Sequence, residues 1–411
     1  MREMKDSGIE WIGEIANTHK LVRLKYVAEI LDEYRKPVTA QYRNQNADIL
    51  YDYYGASGII DKIDGYTIDD HVMLIGEDGA NLKLRNLPLM YEVCGKAWIN
   101  NHAHILKPMK NMDFYYLFYA LEALDINNYI TGSAQPKLNQ ENLKEILIPL
   151  PSYEVQKKVS SYLDTKCSEI DATAEDIQKE ITLLEDYKKS VITEAVTKGL
   201  NPDAEMKDSK IFYLGKINKT WNLTKVGYCC KKLYRPFEPS DEALVCSNKG
   251  KVVPRGDTLI GLMTSDDNAM QGICKGDIAI HGMDTWHGAI ACSDYDGKIT
   301  RVVHVCKADG DNRFVVYWLQ HLAFVGVYKL ISNGVRGNTS DFRSWDKVAD
   351  IYVPNPIKEE QQQIADYLDT KCSEIDSLIA DKKRQLDILA DYKKSLIYEY
   401  VTGKKEVPVN E

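Results

Sequence analysis

Two long stretches of the chain carry apolar residues at helical spacing. Residues 152–198 place them at steps of three and four, and the stretch between Pro356 and Gly403 repeats this pattern. A mean step of roughly 3.5 is typical of a helix that packs along one seam against a partner helix. We therefore predict two long helices that pair with each other through Leu163, Ile170, Ile177, Ile181 and Leu184 in the first and Leu368, Ile375, Ile379, Leu386 and Leu389 in the second.

The ends of these stretches also favour helices. Pro151 precedes the first stretch and Gly199 follows it, and the second stretch is bounded in the same way. Proline suits the first turn of a helix, and glycine suits the residue after its end. Lys382 stands on the second seam where the first has Ile177. It either fixes the register or, as the commoner alternative, extends its charged head past the seam.

Both stretches contain the same ten residues. Tyr-Leu-Asp-Thr-Lys-Cys-Ser-Glu-Ile-Asp occurs at 162–171 and again at 367–376, an offset of 205. Met-Lys-Asp-Ser likewise occurs at 4–7 and at 206–209. Solenoid repeats have periods of roughly 20–50 residues, so this spacing indicates two whole modules, each with a lead-in, a globular part and a long helix. The predicted boundaries are 1–149, 150–200, 201–354 and 355–411.

The two globular parts show short apolar runs between turn signals. This pattern predicts mixed strands and short helices, and with the long helices it predicts an α+β fold. The sequences of the two parts differ almost everywhere except at their ends. The first has strand candidates at 53–60, 72–76 and 97–99 and a helix at 113–125. The second has strand candidates at 244–246, 258–263, 277–281, 288–292 and 300–306 and a helix at 312–331.

Composition narrows the class of protein. The 411 residues carry a net charge of −9, which argues against strong autonomous binding to nucleic acid. It leaves open a DNA-recognition subunit whose partners supply positive charge. The sequence has no apolar run long enough for a membrane span, no secretory leader, and nine cysteines without paired spacing. We therefore expect a cytoplasmic protein without membrane association.

The search for catalytic motifs finds no credible site. The phosphate-binding loop and the dinucleotide-binding glycine pattern are both missing from the sequence. Asn355-Pro356 fits a helix start better than a methyltransferase motif. Residues 202–207 contain the letters of a nuclease site, but the carboxylates of such a site normally come from separate strands, and here they are neighbours in a linker. The histidines of 101–104 provide two ligands, too few for a structural zinc site. We predict no catalytic residue, no metal site and no cofactor.

Polar, glycine-rich and aromatic stretches are the candidates for DNA contact. Such residues can approach phosphates or form bidentate hydrogen bonds with base edges. For each residue, an ordinary solvated loop is the commoner alternative. The candidates are Arg35, Lys36, Tyr54, Ser57, Ser133, Gln135 and Lys137 in the first part, and His281, Thr285, Trp286, His287, Arg336, Asn338, Ser340 and Arg343 in the second.

Several motifs together resemble the specificity (S) subunit of type I restriction–modification systems. They are the lead-in at 6–15, Gln135-Pro136-Lys137-Leu138, Ile148-Pro149-Leu150-Pro151, and the repeated helix segment. In the second globular part, Lys275–Ile278 with Trp286 and Asp296-Gly297 is also similar to the family. One departure is 17–20, where the family often has Pro-x-x-Trp; Trp221 keeps the aromatic residue in the second module.

The resemblance implies both a fold and a function. It implies two target recognition domains of α/β type, and two long helices that pack as an antiparallel coiled coil with pseudo-two-fold symmetry. It further implies a non-catalytic subunit that recognises a bipartite, asymmetric DNA target. The expected partners are double-stranded DNA, two methyltransferase (M) subunits and restriction (R) subunits. The alternatives are a coiled-coil adaptor with two protein-binding domains and a stand-alone nuclease or methyltransferase.

Overall fold

The computed structural model describes residues 3–10, 12–43, 49–256, 266–332 and 341–408. The chain forms two compact units, which we call the first and second domains. The first domain combines residues 1–177 with 384–411, and the second consists of residues 178–383. Each domain therefore contains one globular part together with a portion of both long helices.

The first domain is built on a mixed sheet with the strand order β4-β9-β7-β8-β5-β6, in which only the β5–β8 pair is parallel among the described residues. Two small antiparallel pairs, β1–β2 and β3–β10, lie outside it. In chain order the elements are β1 (Met4–Asp6), β2 (Glu14–Ala16), β3 (Lys20–Arg23), β4 (Ala28–Ile30), α1 (Ala40–Arg43), β5 (Tyr51–Gly55), β6 (Gly58–Ile63), β7 (Ile68–Gly76), α2 (Asn81–Leu84), β8 (Met90–Ile99), β9 (Ala103–Pro108), α3 (Phe114–Ala123), α4 (Gln140–Glu145), β10 (Leu147–Leu150) and the long helix α5 (Tyr153–Lys198).

The second domain distributes its strands differently. Its sheets have the orders β14-β21-β18-β19 and β16-β15-β20-β17, with the pairs β11–β12 and β13–β22 beside them. In chain order the elements are β11 (Met206–Asp208), β12 (Lys216–Asn218), β13 (Asn222–Lys225), α6 (Val226–Cys229), β14 (Cys230–Lys232), β15 (Ala243–Ser247), β16 (Lys251–Pro254), β17 (Met270–Ile273), β18 (Ile278–His281), β19 (Ile290–Cys292), β20 (Gly297–Thr300), β21 (Val303–Ala308), α7 (Asn312–Phe324), α8 (Val327–Ile331), α9 (Trp345–Ala349), β22 (Tyr352–Asn355) and the long helix α10 (Lys358–Val401).

Both predicted long helices are confirmed, and so is the helix predicted at 113–125. The helix predicted at 312–331 is wrong in one respect, because it breaks into α7 and α8 at Gly326. Gly326 has a φ of 76°, a left-handed conformation that ends a helix and that glycine adopts at little cost. The strand candidate at 258–263 lies outside the described residues.

The seam residues of the long helices are buried to different degrees. Leu163, Ile170, Ile177, Ile181, Leu368, Ile375 and Ile379 are buried. The remaining three, Leu184, Leu386 and Leu389, are half-buried. The predicted stripe is therefore largely buried, and the pairing role of its individual residues stays a prediction.

Contacts between the helices show that they run antiparallel. In the first domain, Lys393 Nζ lies 2.6 Å from Asp171 Oδ1, while the rings of Tyr162 and Tyr400 are 4.7 Å apart. The contact partner on α10 therefore shifts from 393 to 400 as the position on α5 decreases from 171 to 162, which is the antiparallel order. The second domain has the same arrangement, with Lys188 Nζ 2.6 Å from Asp376 Oδ1.

Lys382 leaves the seam of the second domain. Its Nζ lies 2.5 Å from a carboxylate oxygen of Glu180, with 30% of the lysine side chain exposed. The lysine extends its charge past the apolar stripe, which is the commoner of the two alternatives considered above.

The repeated ten-residue segment makes the same contacts in both domains. Tyr119 on α3 donates its hydroxyl to Asp164 Oδ1 at 2.7 Å, and Tyr317 on α7 donates to Asp369 Oδ1 at 2.7 Å. The two aspartates occupy the same position of the repeat. The identity of the segment therefore follows in part from docking against one equivalent helix in each globular part.

Each lead-in packs against the C-terminal end of a long helix. The first lead-in packs on α10, which is distant in sequence, and the second packs on α5, which directly precedes it. In the first domain, the Ala16 amide donates to the Thr402 carbonyl at 3.0 Å, and the Tyr398 hydroxyl donates to the Ile12 carbonyl at 2.7 Å. In the second domain, the side-chain amide of Asn218 donates to the Lys198 carbonyl at 2.6 Å. The first lead-in thus closes on the C-terminal end of α10.

We expect the stability of the second domain to fall as the pH drops below about 6.5. Burial lowers the pKa of His321 to about 4, and its Nδ1 lies 3.0 Å from the Thr193 hydroxyl oxygen. An unperturbed histidine has a pKa of about 6.5. Between this value and the lower pKa of the folded state, only the unfolded chain binds the proton. Acid therefore favours unfolding, by at most about 3 kcal/mol at pH 4. Urea unfolding as a function of pH tests this, with His321→Gln as the comparison. An equally steep pH dependence in His321→Gln would contradict the assignment.

Candidate nucleic-acid interface

A closed loop at 131–137 presents polar residues at the surface of the first domain. The backbones of Thr131 and Lys137 exchange two hydrogen bonds of 2.8 Å, which close the loop at its base. Ser133 and Gln135 are exposed at the tip, whereas Pro136 is buried. Gly132 supports this shape with a φ of 81°. The tip is therefore held open to solvent, where its side chains can meet a ligand.

The base of this loop is attached to the end of β7. The Gly79 amide donates to the Pro136 carbonyl at 3.1 Å, and the Leu138 amide donates to the Glu77 carbonyl at 2.7 Å. Lys137 Nζ lies 3.0 Å from Glu77 Oε1 with about half of its side chain exposed. Lys137 is therefore both an anchor and an accessible cation.

Arg35 lies beneath the loop rather than on its surface. Its guanidinium pairs with Asp32 at 3.1 Å and with Glu77, and only 18% of the side chain is exposed. Burial tends to raise the pKa of Glu77, but hydrogen bonds from Arg35 and Lys137 hold that pKa below its usual value. The prediction of Arg35 as a direct DNA contact is therefore corrected, because its charge is already satisfied within the protein.

Three further candidates differ in solvent exposure: Lys36, Tyr54 and Ser57. Lys36 and Ser57 are exposed, and Ser57 lies in the turn between β5 and β6. Tyr54 is 9% exposed within β5, and burial raises the pKa of its hydroxyl. The prediction for Tyr54 is thus corrected as well, because packing in the sheet removes most of its ring from any ligand.

The second domain presents a polar-aromatic turn after β18. The Asp284 amide donates to Nδ1 of His281 at 3.1 Å, and Asp284 Oδ2 lies 3.2 Å from the same nitrogen. His287 is half-exposed, and Lys329 Nζ lies 5.9 Å from the centroid of a Trp286 ring. Burial lowers the pKa of His281, although the charge of Asp284 opposes this. The turn therefore places two imidazole rings beside an aromatic ring.

Two further predictions in this turn have clear outcomes. Thr285 is fully buried, so its side chain is withdrawn from direct contact and the prediction is corrected. Arg343 is exposed, and the preceding residue, Phe342, donates its amide to the Gly282 carbonyl at 3.0 Å. The structure thus brings Arg343 close to the turn. Arg336, Asn338 and Ser340 lie outside the described residues.

The histidines near the end of β8 have separate partners. His102 pairs with Asp78 at 2.7 Å, whereas His104 pairs with Asp32 at 2.7 Å. Across the described ranges, no group of three or more histidine, cysteine or acidic side chains is arranged to hold a metal ion. No helix in the described part of the chain is long and apolar enough to cross a membrane.

The sequence analysis missed the role of His104 and its equivalent, His304. Both lie on matching strands, β9 and β21, and each contacts the backbone next to a candidate recognition surface. A signal was present, because the two histidines are 200 residues apart, close to the offset of the modules, and each is followed by two apolar residues and a lysine. It was obscured because neighbouring positions have diverged.

Comparisons with known proteins agree on one family. Residues 17–183 match the family model of the type I restriction modification DNA specificity domain. A putative MjaX specificity subunit from Methanocaldococcus jannaschii is 27% identical over 94% of this chain and 84% of its own length. The MjaVIII specificity subunit from the same organism is 26% identical over 76% of each protein. A putative Haemophilus influenzae specificity subunit, S.HindORF215P, is 33% identical over 34% of this chain, which spans about a third (35%) of that relative.

The fold agrees with these sequence matches. A solved structure that addresses the complex assembly and conformational transition of the type I restriction–modification system superposes with a TM-score of 0.66. The match covers 95% of this chain and 99% of that one at 14% identity, and it confirms the predicted fold class. Residues 17–183 therefore belong to the DNA specificity domain family of type I restriction–modification systems, and the chain as a whole is similar to the specificity subunits of these systems.

Proposed function

We propose that this chain recognises a bipartite, asymmetric double-stranded DNA target and directs methyltransferase and restriction subunits to it. The observation that carries the proposal is a common framework with unlike surfaces. Equivalent tyrosines dock both globular parts on the repeated helix segment. The exposed residues differ, with Ser133 and Gln135 in one domain and His287 and Arg343 in the other. Two unlike recognition surfaces imply two unlike half-sites.

The exposed side chains suit base recognition by hydrogen bonding. Gln135 can form paired hydrogen bonds with adenine, and Arg343 can do so with guanine, in the major groove. Lys36 and Lys137 suit phosphate contacts, which position a protein on the duplex without reading its sequence. With a net charge of −9, the chain relies on its partners for much of the phosphate neutralisation.

The repeated helix segment also supports two copies of one partner. Thr165, Ser168 and Glu169 are exposed, and the same three residue types are exposed in the second copy, at 370, 373 and 374. Packing against the globular parts does not require identity at exposed positions. Binding of the same partner surface does, so we assign these two surfaces to two methyltransferase subunits. Restriction subunits join through the complete complex, and a DNA target places the assembly in the cytoplasm.

Comparison of the methylated DNA of cells with and without this gene, with the partner methyltransferase subunits expressed in both, tests the proposal. We expect a split motif with two different half-sites to be methylated only when the gene is present. Mobility-shift measurements on the assembled complex provide an independent readout, with scrambled DNA as the control. Unchanged methylation at every split motif, together with equal binding to target and scrambled DNA, would instead support a coiled-coil adaptor.

A further inference from the structure

His104 lies beneath the loop at 131–137, and both of its ring nitrogens have hydrogen-bond partners. Its Nε2 is 2.8 Å from the Leu138 carbonyl oxygen, and its Nδ1 is 2.7 Å from Asp32 Oδ2. The Leu138 carbonyl oxygen can only accept, so Nε2 donates to it. The side chain is 1% exposed. His104 therefore joins the framework of the domain to Leu138, which directly follows the loop, and it does so without access to solvent.

The hydrogen bond to Leu138 completes the attachment of the loop. The Leu138 amide is held by the Glu77 carbonyl at 2.7 Å, and its carbonyl is held by His104. Asp32 is fixed in turn by the Ile105 amide at 3.2 Å and by Arg35 at 3.1 Å. Removing the histidine would leave a buried carbonyl without its donor, a loss that a small shift of the backbone can relieve. Such a shift would be transmitted to Ser133 and Gln135 at the tip.

The second domain contains the same device in a different sequence. His304 Nε2 lies 2.8 Å from the Phe342 carbonyl oxygen, and His304 is 3% exposed. Phe342 directly precedes Arg343, and its amide is bonded to Gly282 in the turn after β18. The strands also correspond, because β9 pairs with β7 and β4 as β21 pairs with β18 and β14.

The recurrence points to a role beyond packing. The protein has eight histidines, and two of them occupy this one position in domains whose sequences otherwise differ. An apolar side chain would fill the space equally well, but it would not hold a carbonyl. What the two domains retain is therefore the hydrogen bond to the backbone beside the recognition surface.

We propose that His104 and His304 are positioning residues, each of which holds one recognition surface in place for one half of the DNA target. Neither residue touches DNA. This inference rests on the proposed function and adds to it a residue in each domain whose loss weakens discrimination at one half-site only. Effects at a distance of this kind are expected where exposed contacts depend on a rigid support.

The test uses the full chain assembled with its methyltransferase subunits. Methylation rates are measured on the intact target and on DNA with one base pair changed in either half-site. We expect His104→Ala to lower the ratio of these rates about tenfold at one half-site, the loss expected for a misplaced base contact, and His304→Ala to do so at the other. His71→Ala, at a partly exposed histidine outside this arrangement, should leave both ratios unchanged.

A matched pair separates positioning from folding. Glutamine can place an amide donor near the Nε2 position, so His104→Gln should retain most of the discrimination, whereas His104→Leu should lose it. This pair also serves if the alanine variant fails to assemble. Equal discrimination by the glutamine and leucine variants, or equal losses at both half-sites, would overturn the inference. Wild-type protein without any sequence-dependent methylation would instead refute the proposed function.

Discussion

Replacing Leu163 by alanine is expected to lower the free energy of unfolding of the first domain by about 3 kcal/mol, within the range measured for buried leucines. Leu163 is fully buried where α5 packs against the globular part. Truncation removes apolar contacts and leaves a cavity that the surrounding helices cannot fill. Leu368, the equivalent residue of the repeat, is also fully buried, and we expect Leu368→Ala to destabilise the second domain to a similar extent.

Urea unfolding followed separately in each domain measures these losses. Leu183→Ala is the matched control, because Leu183 lies on the same helix as Leu163 but is 67% exposed. Its change should stay within about 0.5 kcal/mol. A loss at Leu183 as large as that at Leu163 would show that burial does not determine the effect, since alanine has the higher helix propensity. Charged substitutions at Leu184 or Leu389 should act less strongly than at Leu163, because both residues are only half-buried.

Replacing Gly403 by alanine is the second large effect that we expect. Gly403 has a φ of 72°, and an added Cβ would lie 2.8 Å from Ala16 Cβ and still closer to the His19 ring. Left-handed strain and this clash together should cost about 3 kcal/mol and weaken the packing of the lead-in on α10. Thermal unfolding and hydrogen exchange at the Ala16 amide, which bonds to Thr402, measure the two consequences.

Gly8 provides the control that separates strain from steric conflict. Its φ is also 72°, but nothing lies within 4 Å of an added Cβ. Gly8→Ala should therefore cost only the strain, about 1 kcal/mol. Equal losses in Gly8→Ala and Gly403→Ala would contradict a steric contribution from Ala16 and His19.

The two long helices were predictable, because apolar residues at steps of three and four over such a length fit only a helix. The steps of three and four gave both helices to within a residue or two, with Pro151 and Gly199 marking the ends of the first. The break at Gly326 was not resolved by periodicity, since the apolar residues of α7 and α8 run on across it. A glycine within such a run is compatible with either a continuous or a broken helix until its φ is known.

The candidate interface was predictable in place but not in detail. The loop at 131–137 and the turn after β18 were recognised from glycine, proline and polar residues. Composition could not show that the charge of Arg35 is paired with Asp32 and Glu77, because Glu77 follows β7, 42 residues away in sequence. For the same reason the burial of Thr285 was not apparent, as its neighbours in sequence are half-buried or exposed.

The division of the chain between its domains has a consequence for biosynthesis. The second domain, residues 178–383, is one uninterrupted segment, whereas the first domain also requires residues 384–411. At about 5–20 residues per second, the first domain waits roughly 10–40 s after residue 177 for its missing helix end to leave the ribosome. The domain translated first is therefore the last to be completed. During that interval its part of the α5 seam lacks its partner, and a nonsense mutation at 384 would damage the first domain rather than the second.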